Sequence, residues 1–234
     1  MQSFGTITPS SNVVVERVTI AMTRSTPEIE PHFARFGHAG SVDPAPGDYH
    51  WPAMLEAARL LAVAKPDLIC WNGSKGGEIG FDKDRLLVQR ISDTHGIPAT
   101  TSILALAELL QYAGAEKIAF VTPFMAAANA RIAGVWAGEG LDVVATIGAN
   151  LTDNYSYSTV DEAQLAGMAR TVAEKQPQAI IFTCTNMFGA GLCATMEAEL
   201  GIPVLDSVSA GVWKSLSLLG GAGELGGAWG RLLV

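Results

Sequence analysis

No run of basic residues interrupts this chain, and charge of either sign is sparse. Lysine and arginine together number 15 against 23 aspartates and glutamates, for a formal net charge of −8. Such a chain, with no basic stripe interleaved with aromatics, is not built for nucleic acid or an anionic membrane as its main partner. A small anionic substrate stays open, because a local pocket can oppose the global field. The longest apolar stretches, such as 103–110, are too short to span a bilayer. The chain does not open on a basic segment followed by an apolar one. A strand-like run begins by Phe4 and leaves no room for a signal peptide, so a cytoplasmic protein is expected. A homo-oligomer is compatible with this composition.

Cysteine is also scarce. The three thiols, Cys70, Cys184 and Cys193, are an odd number without framework spacing, which excludes a disulfide scaffold and implies reduced thiols. Neither they nor the four histidines, at 32, 38, 50 and 95, show a metal-ligand spacing. There is no P-loop and no G-x-S-x-G elbow. Gly221, Gly223 and Gly226 do spell G-x-G-x-x-G. No strand precedes them and only eight residues follow, so the βαβ unit of a dinucleotide site is missing. No metal or organic cofactor is indicated.

What the chain has in quantity is apolar residues, 49% of 234, enough for a substantial core. Short β-rich runs alternate with helical ones. Strands are predicted at 4–8, 33–36, 67–71, 99–101, 117–121, 142–146, 179–183 and 204–205. Helices are predicted at 13–23, 52–64, 82–94, 103–112, 126–138, 162–175, 190–200 and 209–218. Strands separated by single helices imply an α/β fold with parallel sheets covered on both faces. Gly96 and Gly201 punctuate helix ends before Ile-Pro.

The sequence also repeats itself. Lys65-Pro66-Asp67-Leu68-Ile69-Cys70-Trp71-Asn72-Gly73-Ser74 aligns with Gln176-Pro177-Gln178-Ala179-Ile180-Ile181-Phe182-Thr183-Cys184-Thr185, at an offset of 184 − 73 = 111. Ile7-Thr8-Pro9 matches Val121-Thr122-Pro123, and Gly96-Ile97-Pro98 matches Gly201-Ile202-Pro203, at offsets of 114 and 105. A (β/α)₈ barrel would also use eight strands, but the repeat divides them into two sets of four, each a complete small lobe. Two pseudo-symmetric lobes, with a site in the cleft between them, are therefore expected.

Functional residues should gather just past the strand C-termini, at 8–12, 72–75, 122–124 and 184–186. Cys184 follows the run Ala-Ile-Ile-Phe-Thr, where a thiol faces the crevice, while its repeat partner is Gly73. One wall thus offers a thiol and the other bare backbone. Cys70, inside its strand, and Cys193, in a helix, read as core. Ser11 or Asn12 suits a helix cap and, compatibly, a carboxylate ligand. The turn Asn72-Gly73-Ser74-Lys75-Gly76-Gly77 reads as a flexible glycine-rich turn or as a cradle of N–H groups for an oxyanion.

Taken together, Thr-Pro-Ser-Ser-Asn at 8–12, Trp-Asn-Gly-Ser at 71–74, Val-Thr-Pro-Phe at 121–124, Asp-Asn at 153–154 and Thr-Cys-Thr-Asn at 183–186 resemble the aspartate/glutamate racemase superfamily. The similarity is to its maleate cis-trans isomerase and arylmalonate decarboxylase branch. The resemblance implies two lobes, approximately 1–102 plus 212–234 and 103–211, with no cofactor. It implies that Asn12 and Asn154 hold a substrate carboxylate, and that Ser74, Lys75, Thr185 and Asn186 lie on oxyanion-binding turns. Phe124 falls where relatives often carry tyrosine and lacks the hydroxyl.

The racemases and the isomerase use two cysteines, and here the first falls on Gly73. Racemisation needs a base and an acid on opposite faces. Decarboxylation needs only one acid, because departing CO₂ leaves the carbanion. A thiol near the ordinary value of about 8.5 is mostly protonated at neutral pH and fit to donate. The reading is a cofactor-independent decarboxylase of a substituted malonate-like acid, with Cys184 as the acid. The alternatives are a racemase or cis-trans isomerase of a small carboxylic acid, with Lys75 or another group replacing the missing cysteine, and a non-catalytic binder of small acids.

Overall fold

A computed structural model describes residues 1–37 and 47–233; His38 lies outside the described residues. The strands are β1 (Gln2–Pro9), β2 (Ile29–Phe36), β3 (Leu68–Trp71), β4 (Ala99–Thr101), β5 (Lys117–Thr122), β6 (Asp142–Gly148), β7 (Ala179–Phe182) and β8 (Val204–Asp206). The helices are α1 (Val15–Met22), α2 (Trp51–Val63), α3 (Gly76–Ile79), α4 (Phe81–His95), α5 (Ser102–Ala113), α6 (Ala126–Gly138), α7 (Glu162–Ala173), α8 (Cys193–Leu200) and α9 (Ser207–Leu218).

All eight expected strands form, in two four-stranded sheets ordered β2-β1-β3-β4 and β6-β5-β7-β8, and every recorded pairing is parallel. The second order is the first with each strand number raised by four, so the sequence repeat is a repeat of topology. Leu68 and Ala179 open matched strands at the same 111-residue offset that separates Gly73 from Cys184.

Local chemistry sets the element ends. Thr101 accepts a hydrogen bond from Leu104 N at 3.1 Å and Asp206 accepts from Val208 N and Ser209 N, so each caps the helix that follows its strand. Gly96 and Gly201 close α4 and α8 at φ of 67° and 75°, a left-handed conformation that L side chains adopt at a cost.

Three apolar clusters hold the layers together. Ile7, Ile69 and Trp71 pack with α2 and α4 through Met54, Leu61, Leu87 and Ile91 on one face of the first sheet. Ile180 and Phe182 pack with α7 and α8 through Leu165, Ala169 and Met196 on one face of the second. The third cluster joins the sheets: Phe4 and Leu68 meet Ile118, Phe120, Ile181 and Leu205 through α1, α5 and α9. Each such buried aliphatic or aromatic side chain contributes roughly 1.5–3 kcal/mol. Helix α9 leaves β8 of the second sheet and packs on β3 and β4 of the first as well as on α5.

Candidate active site

The loops after β1, β3, β5 and β7 surround one cavity of about 660 Å³. Its walls include Asn12, Gly73, Ser74, Lys75, Phe124, Asn154, Cys184 and Thr185 among the residues singled out from the sequence. Ser11 and Asn186 do not line it; both brace residues that do.

Asn12 works on both sides of the molecule. Its Oδ1 accepts from Val14 N and Val15 N at 2.9 Å, capping α1, and its Nδ2 donates to the Thr185 carbonyl at 2.9 Å. Asn186 is buried with its Oδ1 accepting from Val13 N at 2.9 Å and its Nδ2 donating to the Asn154 carbonyl. Asn154 Nδ2 donates to Ser11 Oγ at 2.6 Å. The polar residues that the resemblance offered as carboxylate ligands therefore also tie the β1 loop to the β7 loop and to the loop after β6. An amide NH₂ has two hydrogens, so Asn154 keeps one beyond its bond to Ser11.

The turn after β3 is more ordered than a flexible glycine loop. Gly76 and Gly77 are the first residues of α3. Gly76 is glycine because a Cβ there would stand 2.1 Å from Asp84 Oδ1. Lys75 Nζ is held 2.7 Å from Glu78 Oε2, and Arg131 holds Glu78 Oε1 at 2.8 Å. Lys75 thus meets the cavity as a paired cation. The backbone N–H groups of Gly73, Ser74, Lys75 and Thr185 make no hydrogen bond to another described residue.

Cys184 is 4% exposed, and all three cysteines are free and buried. Only Cys184 lines the cavity; Cys70 Sγ faces Gly211 O at 3.7 Å and Cys193 Sγ faces Gly189 O at 3.6 Å. Burial pushes the Cys184 thiol up to about 12, against the pull of Asn186 N, which donates to Sγ at 3.4 Å; the Asp206 charge pushes it further up. The thiol is held more firmly protonated than an ordinary one.

Asp206 is fully buried, with Oδ1 capping α9 and Oδ2 without a hydrogen-bond partner among the described residues. Burial pushes its carboxyl up to about 7, against the pull of the Ser209 and Val208 N–H groups. The folded value lies above the ordinary one near 3.8. The folded chain therefore holds this proton more tightly, and the resulting stability is full at low pH and lost as pH rises through the folded value. A shift of this size corresponds to about 4 kcal/mol between about pH 4 and pH 7. Asp206→Asn retains the capping oxygen and is expected to flatten that fall relative to wild type. Denaturant unfolding across this pH range checks it; parallel curves for the two proteins would assign the slope elsewhere.

Several cavity residues were not singled out from the sequence. Phe36, Tyr49, Met54 and Trp71, which share one apolar cluster, form an apolar side, Ile132 of α6 also lines the cavity, and Tyr157 packs edge-on against Phe124 at 5.2 Å between ring centroids. Trp71 Nε1 donates to Tyr49 Oη at 3.0 Å, and Tyr49 Oη donates to buried Asp84. Trp71 stood within a quoted motif, but nothing in its spacing revealed its orientation. Among the described residues no three His, Cys, Asp or Glu side chains stand together as a metal site, and no helix is long and apolar enough to cross a membrane.

A family model described as arylmalonate decarboxylase matches residues 73–233, a span that takes in the Gly73 turn, the Cys184 turn and α9. The chain belongs to this family. Arylmalonate decarboxylase of Bordetella bronchiseptica is 26% identical over 196 residues, covering 82% of each chain. Maleate isomerase of Nocardia farcinica is 28% identical over 243 residues, covering 100% of this chain and 96% of the relative. The fold matches that of a variant of the maleate isomerase Iso of Pseudomonas putida S16 solved with maleate. That match has a TM-score of 0.88 at 21% identity, over 99% of this chain and 97% of the other. The family's neighbours thus include decarboxylases and isomerases alike, on the branch that the five sequence motifs indicated.

Proposed function

We propose that this chain is a cofactor-independent decarboxylase of a substituted malonate-like acid, with Cys184 as its one proton donor. The observation that carries the reading is the asymmetry of the cavity: one protonated thiol on the β7 turn and glycine at the matched position on the β3 turn. In the reaction the bond between the α-carbon and one carboxylate breaks and CO₂ leaves. The electron pair stays on the α-carbon and spreads into the remaining carboxylate as an enediolate. The Cys184 S–H then gives its proton to the α-carbon, and the thiolate, a strong base at this site, recovers a proton from water.

The surroundings support each need of that step. The apolar side of the cavity disfavours the departing carboxylate and suits an aryl or bulky alkyl substituent. The N–H groups at 73–75 and at Thr185, which have no partner among the described residues, with the Ser74 and Thr185 hydroxyls, supply donors for the growing enediolate charge. Lys75 adds a positive charge nearby, while its pairing with Glu78 disfavours it as a substitute base.

Proton NMR in D₂O with a pooled panel of aryl- and alkylmalonates, maleate and α-amino acids tests the reading. Loss of a malonate with one deuterium at the product α-carbon is expected. Deuterium entering an unconsumed amino acid, or maleate turning into fumarate, would instead establish the racemase or isomerase reading.

A further inference from the structure

We propose that the Trp71 indole occupies the place of the missing second thiol and so fixes this chain to single-acid chemistry. The inference rests on Cys184 being the acid; its structural part stands independently of that assignment. A Cβ built on Gly73 would lie 2.0 Å from Trp71 Cζ2 and 2.4 Å from both Cε2 and Cη2. Carbon atoms cannot approach so closely, so any side chain at 73 requires the ring to leave.

The ring is not free to leave. Its Nε1–H donates to Tyr49 Oη at 3.0 Å, and Tyr49 and Phe36 pack on it with centroids 6.0 and 5.6 Å away. Tyr49 is itself anchored, donating to Asp84 Oδ1, while Thr101 Oγ1 donates to Asp84 Oδ2 at 2.5 Å. Asp84 has no exposed surface, and Trp71 is 3% exposed. The indole is therefore clamped from α4 and from the end of β4, behind the cavity wall that it helps to form. Backbone conformation is no obstacle at 73, which is not among the positive-φ glycines. The three atoms nearest to such a Cβ all belong to the indole.

Trp71 is on this account a specificity-determining residue. With the indole in place the face opposite Cys184 presents an aromatic wall and no base. With the indole reduced to a small side chain, a thiol at 73 could take the α-hydrogen of a 2-arylpropionate as its thiolate while Cys184 returns a proton to the other face. The proton count then balances and the product is the mirror-image acid.

Four full-length proteins test this: wild type, Gly73→Cys, Trp71→Val and the double variant. Gly73→Cys alone is expected to melt several degrees below wild type. Trp71→Val is expected to lower the melting temperature when Gly73 is present and to raise it when position 73 carries the thiol. The double variant is expected to exchange deuterium into the α-position of 2-phenylpropionate at least about 10²-fold faster than Gly73→Cys alone. If Gly73→Cys does not fold, Gly73→Ala probes the same position with a single methyl, and Trp71→Val is expected to rescue it. Melting temperatures that simply add, with no reversal of sign, would overturn the placement of the indole. Exchange by Gly73→Cys alone at the rate of the double variant would overturn it too. If wild type fails to decarboxylate but the sign reversal is seen, the proposed reaction falls and the role of Trp71 in excluding a side chain stands.

Discussion

Cys184→Ser is expected to lower turnover of a malonate substrate by about 10²–10⁴-fold, the usual contribution of a positioned general acid. The change is nearly isosteric, so packing around Met187 and Phe182 should survive. What disappears is acidity: an alcohol O–H gives up its proton far less readily than a thiol, even one raised to about 12. Since the lost interaction belongs to the transition state, KM should remain within a few-fold of wild type. Steady-state kinetics of the two proteins decide it. Undiminished turnover would remove Cys184 from the chemistry. A protein that binds small acids without consuming them would show similar ligand affinity in both forms and turnover in neither.

Asn12→Ala should produce the largest loss of stability among single changes at the cavity. It removes the cap on Val14 N and Val15 N and leaves the buried Thr185 carbonyl without its donor. Lost caps cost about 1 kcal/mol and an orphaned buried acceptor about 1–3 kcal/mol, so a total near 3 kcal/mol follows. For a chain of this length that is on the order of 10 °C in melting temperature. Asn12→Asp gives an internal control. Its carboxylate still caps α1 but cannot donate to Thr185, so its melting temperature should lie between those of wild type and Asn12→Ala. Calorimetry on the three proteins checks the order; an Asn12→Ala protein as stable as wild type would show that neither the cap nor the link to Thr185 matters.

The eight strands were readable because each is a short apolar run bounded by turn residues, and the split into two sheets because the runs recur at a nearly constant offset. The loops that reach the cavity followed from the rule that sites in parallel sheets sit past the strand C-termini. The glycine pair at 76–77 misled: Gly76 and Gly77 are helical, and Gly76 lacks a side chain because Asp84 is already there. Proximity of that kind is invisible in sequence. The same holds for Asn186, whose partners Val13 and Asn154 lie 173 and 32 residues away. Trp71 read as an ordinary strand residue, since the bond to Tyr49 that turns its ring over Gly73 depends on a loop and a helix folding around it.

The path of α9 has a consequence for how the molecule comes apart. It is wound from the chain that follows the second sheet, yet its apolar face completes the cover of the first. Neither set of four strands owns all the layers it needs, and cutting the chain between them would strip an apolar face from both. Unfolding one sheet therefore withdraws support from the other, and partly open forms with one intact half are penalised. The chain repeats itself in sequence, yet it is expected to melt as one body.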